Sequence, residues 1–258
     1  MKIVTRLLFV IFLGIFLFAA WKLWVMYRGY KGGDDEYEDL RKYTEEVPED
    51  DNGEKSPDKC PVKVNFKELR KINPDVVGWI YIDEKVSYPI VQAEDNEYYL
   101  HRTFEKKENF SGAIFLDYQC TPPFDTDNTI VYGHNLKSGK MFGYLKRYYD
   151  TKYNKDANYK EHEVIWIITP EQDREYKVFA AREIDVNKDT DAYMIQFETV
   201  EEYAAWLDEC VKKSLYKTRT KPDSSVGTVT LSTCTSSTQA GRFIVQGTMI
   251  QSEEHIDK

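Results

Sequence analysis

Two strand-like runs near the end of the chain decide the fold: 228-TVTLSTC-234 and 241-GRFIVQG-247. Polar and apolar residues alternate along the first run with the two-residue period of a half-buried β-strand. The second run is rich in the β-branched and aromatic residues that strands favour. A hairpin made of these runs has residues 235–241 as its loop, and it brings Cys234 and Arg242 opposite each other at its mouth.

Cys234 has two interpretations at this stage. A single cysteine in a strand is usually structural, because a free thiol behaves as a small hydrophobe. A cysteine can instead be a nucleophile where its surroundings favour the thiolate, and Arg242 would provide such a charge together with hydrogen-bond donors. The register of the hairpin determines whether these two side chains share a face. The sequence does not fix that register.

Working outward, six further runs have the same strand-like composition. They lie at 76–82, 86–92, 112–118, 128–134, 163–170 and 176–184. Together with the two runs above, they favour a single closed or nearly closed β-barrel over two domains. One segment, 199–215, instead repeats its apolar residues with the period of an amphipathic helix, and Thr199 and Glu202 fit a capping box at its start. A shorter helix is predicted within 64–72.

Four histidines could assist a catalytic thiol. His255 lies in a polar tail, and His162 lies among charges at the edge of a strand. His101 lies in an aromatic stretch that is predicted to be helical, where a packing role is expected. His134 differs, because it follows the apolar run NTIVY, and catalytic residues often lie on loops at strand ends. We therefore take His134 as the candidate acid–base residue.

The N-terminus carries the run 6-RLLFVIFLGIFLFAAWKLWVMY-27, whose one interior charge is Lys22. About 20 apolar residues are needed to span a bilayer, so an uncleaved signal-anchor is predicted; a signal cleaved after Ala20 is the alternative. Basic residues flank the run on both sides, which makes the orientation ambiguous under the positive-inside rule. Aromatic residues at the far end favour the N-terminus inside and the body of the protein outside.

The amino-acid composition excludes some classes of function. The formal net charge of −9 argues against nucleic acid as a partner, which needs a basic surface. Much of the acid lies in 34–58, and the segment 31–61 is predicted to be a solvated linker, with a helical part near DEYEDLRKYTEEV left open. The four cysteines, at 60, 120, 210 and 234, are widely spaced and form no CxxC pair. We therefore expect no metal site, no cofactor and no disulfide framework.

Several motifs resemble those of one enzyme family. TLSTC, followed shortly by the arginine of GRFIVQG and preceded about a hundred residues upstream by VYGHN, resembles the sortase family. INPDVVGWIYI, YPIVQAEDNEYYLHRTF, GAIFLDY and YGHNLKSGKMFGYLKRY resemble class B sortases in particular, as does a helix just before the cysteine strand. The resemblance covers roughly residues 62–250.

The resemblance implies a mainly β fold: an eight-stranded sortase-type barrel with N-terminal helices and one inserted helix, preceded by a transmembrane helix. It divides the chain into a cytoplasmic end and signal-anchor (1–30), an acidic linker (31–61) and a catalytic domain (62–258). By position, Cys234 matches the nucleophile, His134 the general acid/base, and Arg242 the arginine that stabilises the oxyanion and substrate. Ser232 and Thr233, which lead into the cysteine, are expected to contact the substrate.

The implied function is that of a single-pass membrane cysteine transpeptidase on the outer face of Gram-positive bacteria. Such an enzyme cleaves a C-terminal sorting signal, of N-P-x-T-x type or a variant, from secreted proteins through a thioester. It then transfers the protein to an amino group of the peptidoglycan precursor. A hydrolytic cysteine protease or amidase, a pilin-polymerising sortase and a membrane-tethered binding module remain alternatives. Residues 235–241, TSSTQAG, contain no carboxylate, so no third catalytic residue is assigned.

Overall fold

The computed structural model of the chain describes residues 2–47, 59–149, 164–215, 217–235 and 240–255. Ten strands are present in these ranges: β1 Thr44–Glu46, β2 Val62–Val64, β3 Val76–Asp83, β4 Val86–Val91, β5 Ile114–Leu116, β6 Asn128–Tyr132, β7 Val164–Ile168, β8 Gln172–Asp185, β9 Thr228–Cys234 and β10 Gly241–Glu254. The first two form a small separate sheet. The other eight close into a barrel in the order β10-β8-β7-β3-β4-β5-β6-β9. The predicted eight-stranded barrel is thus confirmed, and each predicted run contributes one strand.

Two pairs of neighbouring strands in the barrel are parallel, and the others are antiparallel. β4 runs parallel to β5, and β6 runs parallel to β9. Since the ends of parallel strands emerge at the same edge of a sheet, the residues that follow β6 and β9 meet at one end of the barrel. The parallel pairing of β6 with β9 therefore places the candidate residues His134 and Cys234 at the same end of the barrel.

Alternation along β9 and β10 divides their side chains between the inside and outside of the barrel. Val229, Leu231, Phe243 and Val245 belong to the main core, and Val245 lies directly opposite Leu231 across the hairpin. The intervening residues point outward, and there Ile244 packs in a separate small cluster with two other buried residues. The outward face of this hairpin is the one that carries Cys234.

Four α-helices accompany the barrel in the described ranges: α1 Lys2–Leu40, α2 Phe66–Ile72, α3 Lys146–Tyr149 and α4 Val200–Lys213. Both helices predicted within the barrel domain, α2 and α4, are confirmed. Thr199 caps α4, with its hydroxyl accepting a hydrogen bond from the Glu202 N–H at 3.1 Å. In a capping box the Glu202 carboxylate would accept a hydrogen bond from the N–H of Thr199, but here it accepts one from the N–H of Glu198, the preceding residue. Cys210 on α4 is fully buried against β8, as the apolar stripe predicts.

α1 is longer than the predicted membrane-spanning segment. Its first part is a helix long and apolar enough to cross a membrane, and its large apolar side chains are exposed. The helix does not end near residue 30. It continues through the first part of the predicted linker to Leu40, and Tyr37 and Leu40, one helical turn apart, join the core of the barrel.

The expectation of a solvated linker is therefore wrong for residues 31–47, because Tyr37 and Leu40 are buried despite the surrounding acids. The limits of the three predicted domains stay a prediction. Residues 48–58 of the predicted linker and His162 lie outside the described residues.

Candidate active site

The register of the β9–β10 hairpin pairs Cys234 directly with Arg242. The Thr235 N–H bonds the Gly241 carbonyl at 3.1 Å, so the adjacent Cys234–Arg242 pair is a non-hydrogen-bonded one. Side chains directly opposite in such a pair lie on the same face and closer together than in the alternate pairs. The question left open by the sequence is resolved: the thiol and the guanidinium share a face. Arg242 also donates from Nη1 to the Gly241 carbonyl at 2.9 Å, which restricts the orientation of the guanidinium.

His134 reaches the same level of the barrel from the parallel neighbour of β9. Tyr132, the last residue of β6, pairs with Ser232, and the Gly133 N–H continues the ladder to the Ser232 carbonyl at 3.1 Å. One residue further, His134 is level with Cys234. Glycine is required before it, because a Cβ at Gly133 would collide with the side chains of Ile114 and Phe142. The motif YGH thus lets the strand end pass close to the core.

The imidazole of His134 is held on two sides. Its Nε2 lies 2.7 Å from the Leu100 carbonyl oxygen. Since a carbonyl only accepts, Nε2 carries the proton, and in the neutral ring Nδ1 has the lone pair. On another side the ring lies against Gly112, where a Cβ would be 2.8 Å from His134 Cδ2. The orienting partner of the histidine is therefore a backbone carbonyl, a group that leaves no signal in the sequence.

Burial lowers the pKa of His134 from its ordinary value, and the positive charge of nearby His101 lowers it further, while the hydrogen bond to Leu100 acts in the opposite direction. The imidazole is therefore held mainly in its neutral form near pH 7. A neutral imidazole can accept the proton of a thiol.

Asn135 joins the histidine segment to the cysteine strand. Its Nδ2 donates to the Cys234 carbonyl at 2.7 Å. Its Oδ1 is buried and has no hydrogen-bond partner among the described residues. Asn135 belongs to the motif VYGHN, but the motif predicts no role for it beyond its position next to the candidate histidine.

A cavity of about 270 Å³ opens beside Cys234 and Arg242. Leu100, Tyr132 and Tyr193 line its wall, together with polar residues from the segment 96–97. Its volume is close to the lower limit for small-ligand sites. Because the half-buried thiol faces this space, an acyl group bound in the cavity can reach the thiol.

The two residues predicted to contact substrate differ in orientation. Ser232 lies on the same strand face as Cys234, and its hydroxyl is 2.8 Å from the Tyr193 hydroxyl at the cavity wall. Thr233 also lines the cavity, yet strand alternation directs its side chain to the opposite face. Its Oγ1 is buried with no partner in the described part of the chain. Substrate contact by either residue stays a prediction.

The other three cysteines lie in a different environment. All three are buried, and burial raises the pKa of Cys120, that of Cys210 to about 11 and that of Cys60 to about 12. A thiol is nucleophilic as its thiolate, so these three residues are poor candidates. Within the described residues, no group of three or more His, Cys, Asp or Glu side chains is arranged to hold a metal ion.

Comparison with known proteins identifies the architecture. A sequence model described as the sortase domain matches residues 81–250, well over half of the chain. The chain belongs to the sortase family. Sortase B of Listeria monocytogenes is 32% identical to this sortase over 249 residues, which cover 92% of this chain and 93% of the relative.

Solved structures agree with this assignment. Sortase B from Bacillus anthracis in complex with AAEK2 has a TM-score of 0.70 and 31% identity to this sortase, covering 86% of this chain and 97% of that one. A substrate complex of Staphylococcus aureus sortase B has a TM-score of 0.65 and 28% identity, covering 72% and 84%. The sortase is thus of class B, and its activity is that of a cysteine transpeptidase.

Proposed function

We propose that this sortase is anchored in the cell membrane by α1 and attaches secreted proteins to the cell wall. Its substrate would be a C-terminal sorting signal of N-P-x-T-x type or a variant, and its acceptor an amino group of the peptidoglycan precursor. The direct pairing of Cys234 with Arg242, beside the strand end that carries His134, supports this proposal most. A thiol, an imidazole and a guanidinium at one place are the groups that acyl transfer through a thioester requires.

In the first half-reaction Cys234 acts as the nucleophile. Its Sγ attacks the scissile carbonyl carbon, and the thiol proton passes to Nδ1 of His134. The carbon–nitrogen bond of the tetrahedral intermediate then breaks, the imidazolium returns the proton to the leaving amine, and a thioester remains on the cysteine. The neutral imidazole, with its Nε2 proton bonded to Leu100, supports Nδ1 as the proton acceptor.

In the second half-reaction the acceptor amine attacks the thioester carbonyl. The carbon–sulfur bond breaks, a new amide forms, and the proton of the amine returns to the sulfur through His134. An oxyanion develops in both halves, and the N–H groups of Arg242 are proposed to stabilise it each time. Water in place of the amine would give hydrolysis, which is the reaction of the alternative cysteine protease.

The proposed location follows from α1. The exposed apolar part of this helix supports a single membrane span. The aromatic residues at the far end of that span favour the barrel on the outer side. Sorting signals emerge on that side of the membrane during secretion. An anchor would therefore keep the enzyme close to its protein substrate as the sorting signal leaves the membrane.

Trapping the acyl-enzyme tests this function. The full-length chain in detergent is mixed with a library of N-P-x-T-x peptides, quenched in acid, digested and examined by mass spectrometry. We expect the mass of the N-terminal peptide fragment on Cys234, and we expect an added peptide with a free α-amino group to remove it faster than water does. The Cys120→Ala variant is the matched control and should carry the same adduct. An adduct on another cysteine, or release by water alone, would overturn the proposal.

A further inference from the structure

The last three turns of α1 lie against the loop formed by residues 101–112. The Glu36 carboxylate, although buried, accepts hydrogen bonds from the Thr103 hydroxyl and the Glu105 N–H, both at 2.9 Å. Asn109 in the loop donates from Nδ2 to the Gly29 carbonyl of the helix at 2.7 Å. Residues 29–36 of α1, which follow the apolar segment, are thus hydrogen-bonded to this loop at several points.

Tyr37 makes the deepest of these contacts. Its side chain is 6% exposed, and its hydroxyl donates to the Gly112 carbonyl at 2.8 Å while it accepts from the Phe104 N–H at 3.2 Å. One hydroxyl therefore satisfies two backbone groups at opposite ends of the loop. A buried backbone group that loses its hydrogen-bond partner is costly, so these two bonds hold the loop firmly in this conformation.

Gly112 connects this contact to the candidate active site. It has a φ of +56°, in the left-handed region that favours glycine. A Cβ there would lie 2.8 Å from His134 Cδ2 and also 2.8 Å from the Leu100 carbonyl oxygen, which is the group that binds His134 Nε2. Gly112 and Leu100 thus form a backbone cradle for the imidazole. The Tyr37 hydroxyl holds one member of that cradle directly.

We propose that Tyr37 is a positioning residue for His134: through the Gly112 carbonyl it holds the backbone cradle that orients the imidazole. The end of the anchor helix is then part of the machinery that sets the geometry of the acid–base group. This inference rests on the role of His134 given under the proposed function. Tyr37 does not line the cavity beside Cys234, so its effect would be on turnover and not on substrate binding.

The first test compares Tyr37→Phe with Tyr203→Phe in the full-length chain in detergent. Tyr203 is a matched control: it is 3% exposed, and its hydroxyl also binds two backbone groups, the carbonyls of Asp127 and Val226. Asp127 precedes β6, at the opposite end of that strand from His134. We expect kcat to fall on the order of 10-fold in Tyr37→Phe with KM unchanged, because small misplacements of a catalytic group reduce turnover. The Tyr203→Phe enzyme should keep wild-type kcat despite a similar loss of thermal stability.

Equal losses of kcat in the two variants would mean that Tyr37 only stabilises the fold, and this would overturn the proposal. So would wild-type kcat in Tyr37→Phe. The His134→Ala variant separates this result from the proposed function: if it transferred peptide at the wild-type rate, the role of His134 would be wrong, whatever Tyr37 does.

A second readout does not depend on activity. His134 can be followed by NMR in histidine-labelled enzyme, with its signals assigned from the His134→Gln spectrum. Two titratable groups lie beside it: His101, next to Leu100, whose charge acts on His134, and Cys234, level with it on the neighbouring strand β9. Arg242 on β10 faces Cys234. Loosening the cradle admits water, so we expect the titration midpoint of His134 to rise in Tyr37→Phe and to stay at the wild-type value in Tyr203→Phe. An unchanged midpoint in Tyr37→Phe would contradict the link between the helix and the histidine.

Discussion

Replacing Arg242 with lysine separates the charge of this residue from its geometry. Arg242 lies directly across the hairpin from Cys234, and its Nη1 bond to the Gly241 carbonyl restricts the guanidinium plane. The remaining N–H groups of that plane point in fixed directions, whereas the ammonium of lysine is a single rotatable centre. Lysine at this position keeps the positive charge near the thiol but loses the fixed set of donors.

The expected loss follows from this difference. Removing one donor to an oxyanion costs about 10²–10³ in rate. Because lysine keeps one charged donor, we expect the lower value, on the order of 10²-fold in kcat/KM, which corresponds to about 2.7 kcal/mol of transition-state stabilisation. Arg242→Ala, which loses the charge and every donor, should lose at least as much activity.

Cleavage of a fluorescence-quenched sorting peptide provides the rates, and the pH profile of Cys234 alkylation provides the state of the thiol. Arg219→Lys, at an exposed position, controls for the exchange itself. In Arg242→Lys the alkylation profile should stay near that of the wild type while kcat/KM falls. Wild-type turnover in Arg242→Lys would refute the reasoning, because charge alone would then be sufficient.

Four further outcomes are expected. Cys234→Ala should abolish cleavage and transfer without lowering the thermal midpoint, whereas alanine at each of the three buried cysteines should leave the activity unchanged. Near wild-type cleavage by Cys234→Ala would exclude Cys234 as the nucleophile. His134 should titrate below its ordinary value of 6.5, because burial disfavours the imidazolium and more acid is needed to protonate it; an NMR midpoint above 6.5 would contradict this. The full-length protein should fractionate with membranes and a chain starting at residue 31 should be soluble and active, whereas a mature form beginning just after Ala20 would identify a cleaved signal. A chain starting at residue 44 should have a lower thermal midpoint than the one starting at 31, because it lacks Tyr37 and Leu40, each of which contributes about 2 kcal/mol by burial.

The barrel was predictable because its signal is local. Each strand carries its own two-residue alternation or apolar run, so all eight were found where they occur. The order of the strands is not local: β6 and β9 pair in parallel between residues that lie 100 positions apart in the chain, such as Asn128 and Thr228. Composition was misleading for residues 31–47, since the acids there outnumber the two apolar side chains of the segment that are buried in the core.

The candidate site was predictable only in part, for a similar reason. Side chains with distinctive chemistry, Cys234, His134 and Arg242, can be recognised from their motifs. The partner of His134 is the carbonyl of Leu100, and its other support is Gly112; a backbone carbonyl is common to every residue and so has no signature. Asn135 was visible in its motif, but its bond to the Cys234 carbonyl depends on the parallel register.

The continuity of α1 has a consequence for which sorting signals can be reached. From Tyr27, at the end of the apolar run, to Leu40, in the core of the barrel, the helix rises thirteen residues without interruption, or about 20 Å. A flexible tether of that length would sample a broad range of distances and orientations, but a helix fixed at its barrel end does not. With α1 in the bilayer, the catalytic cleft would be kept at a nearly constant height above the lipid. The anchor would then act as a ruler, selecting proteins whose sorting signal emerges from the membrane at that height.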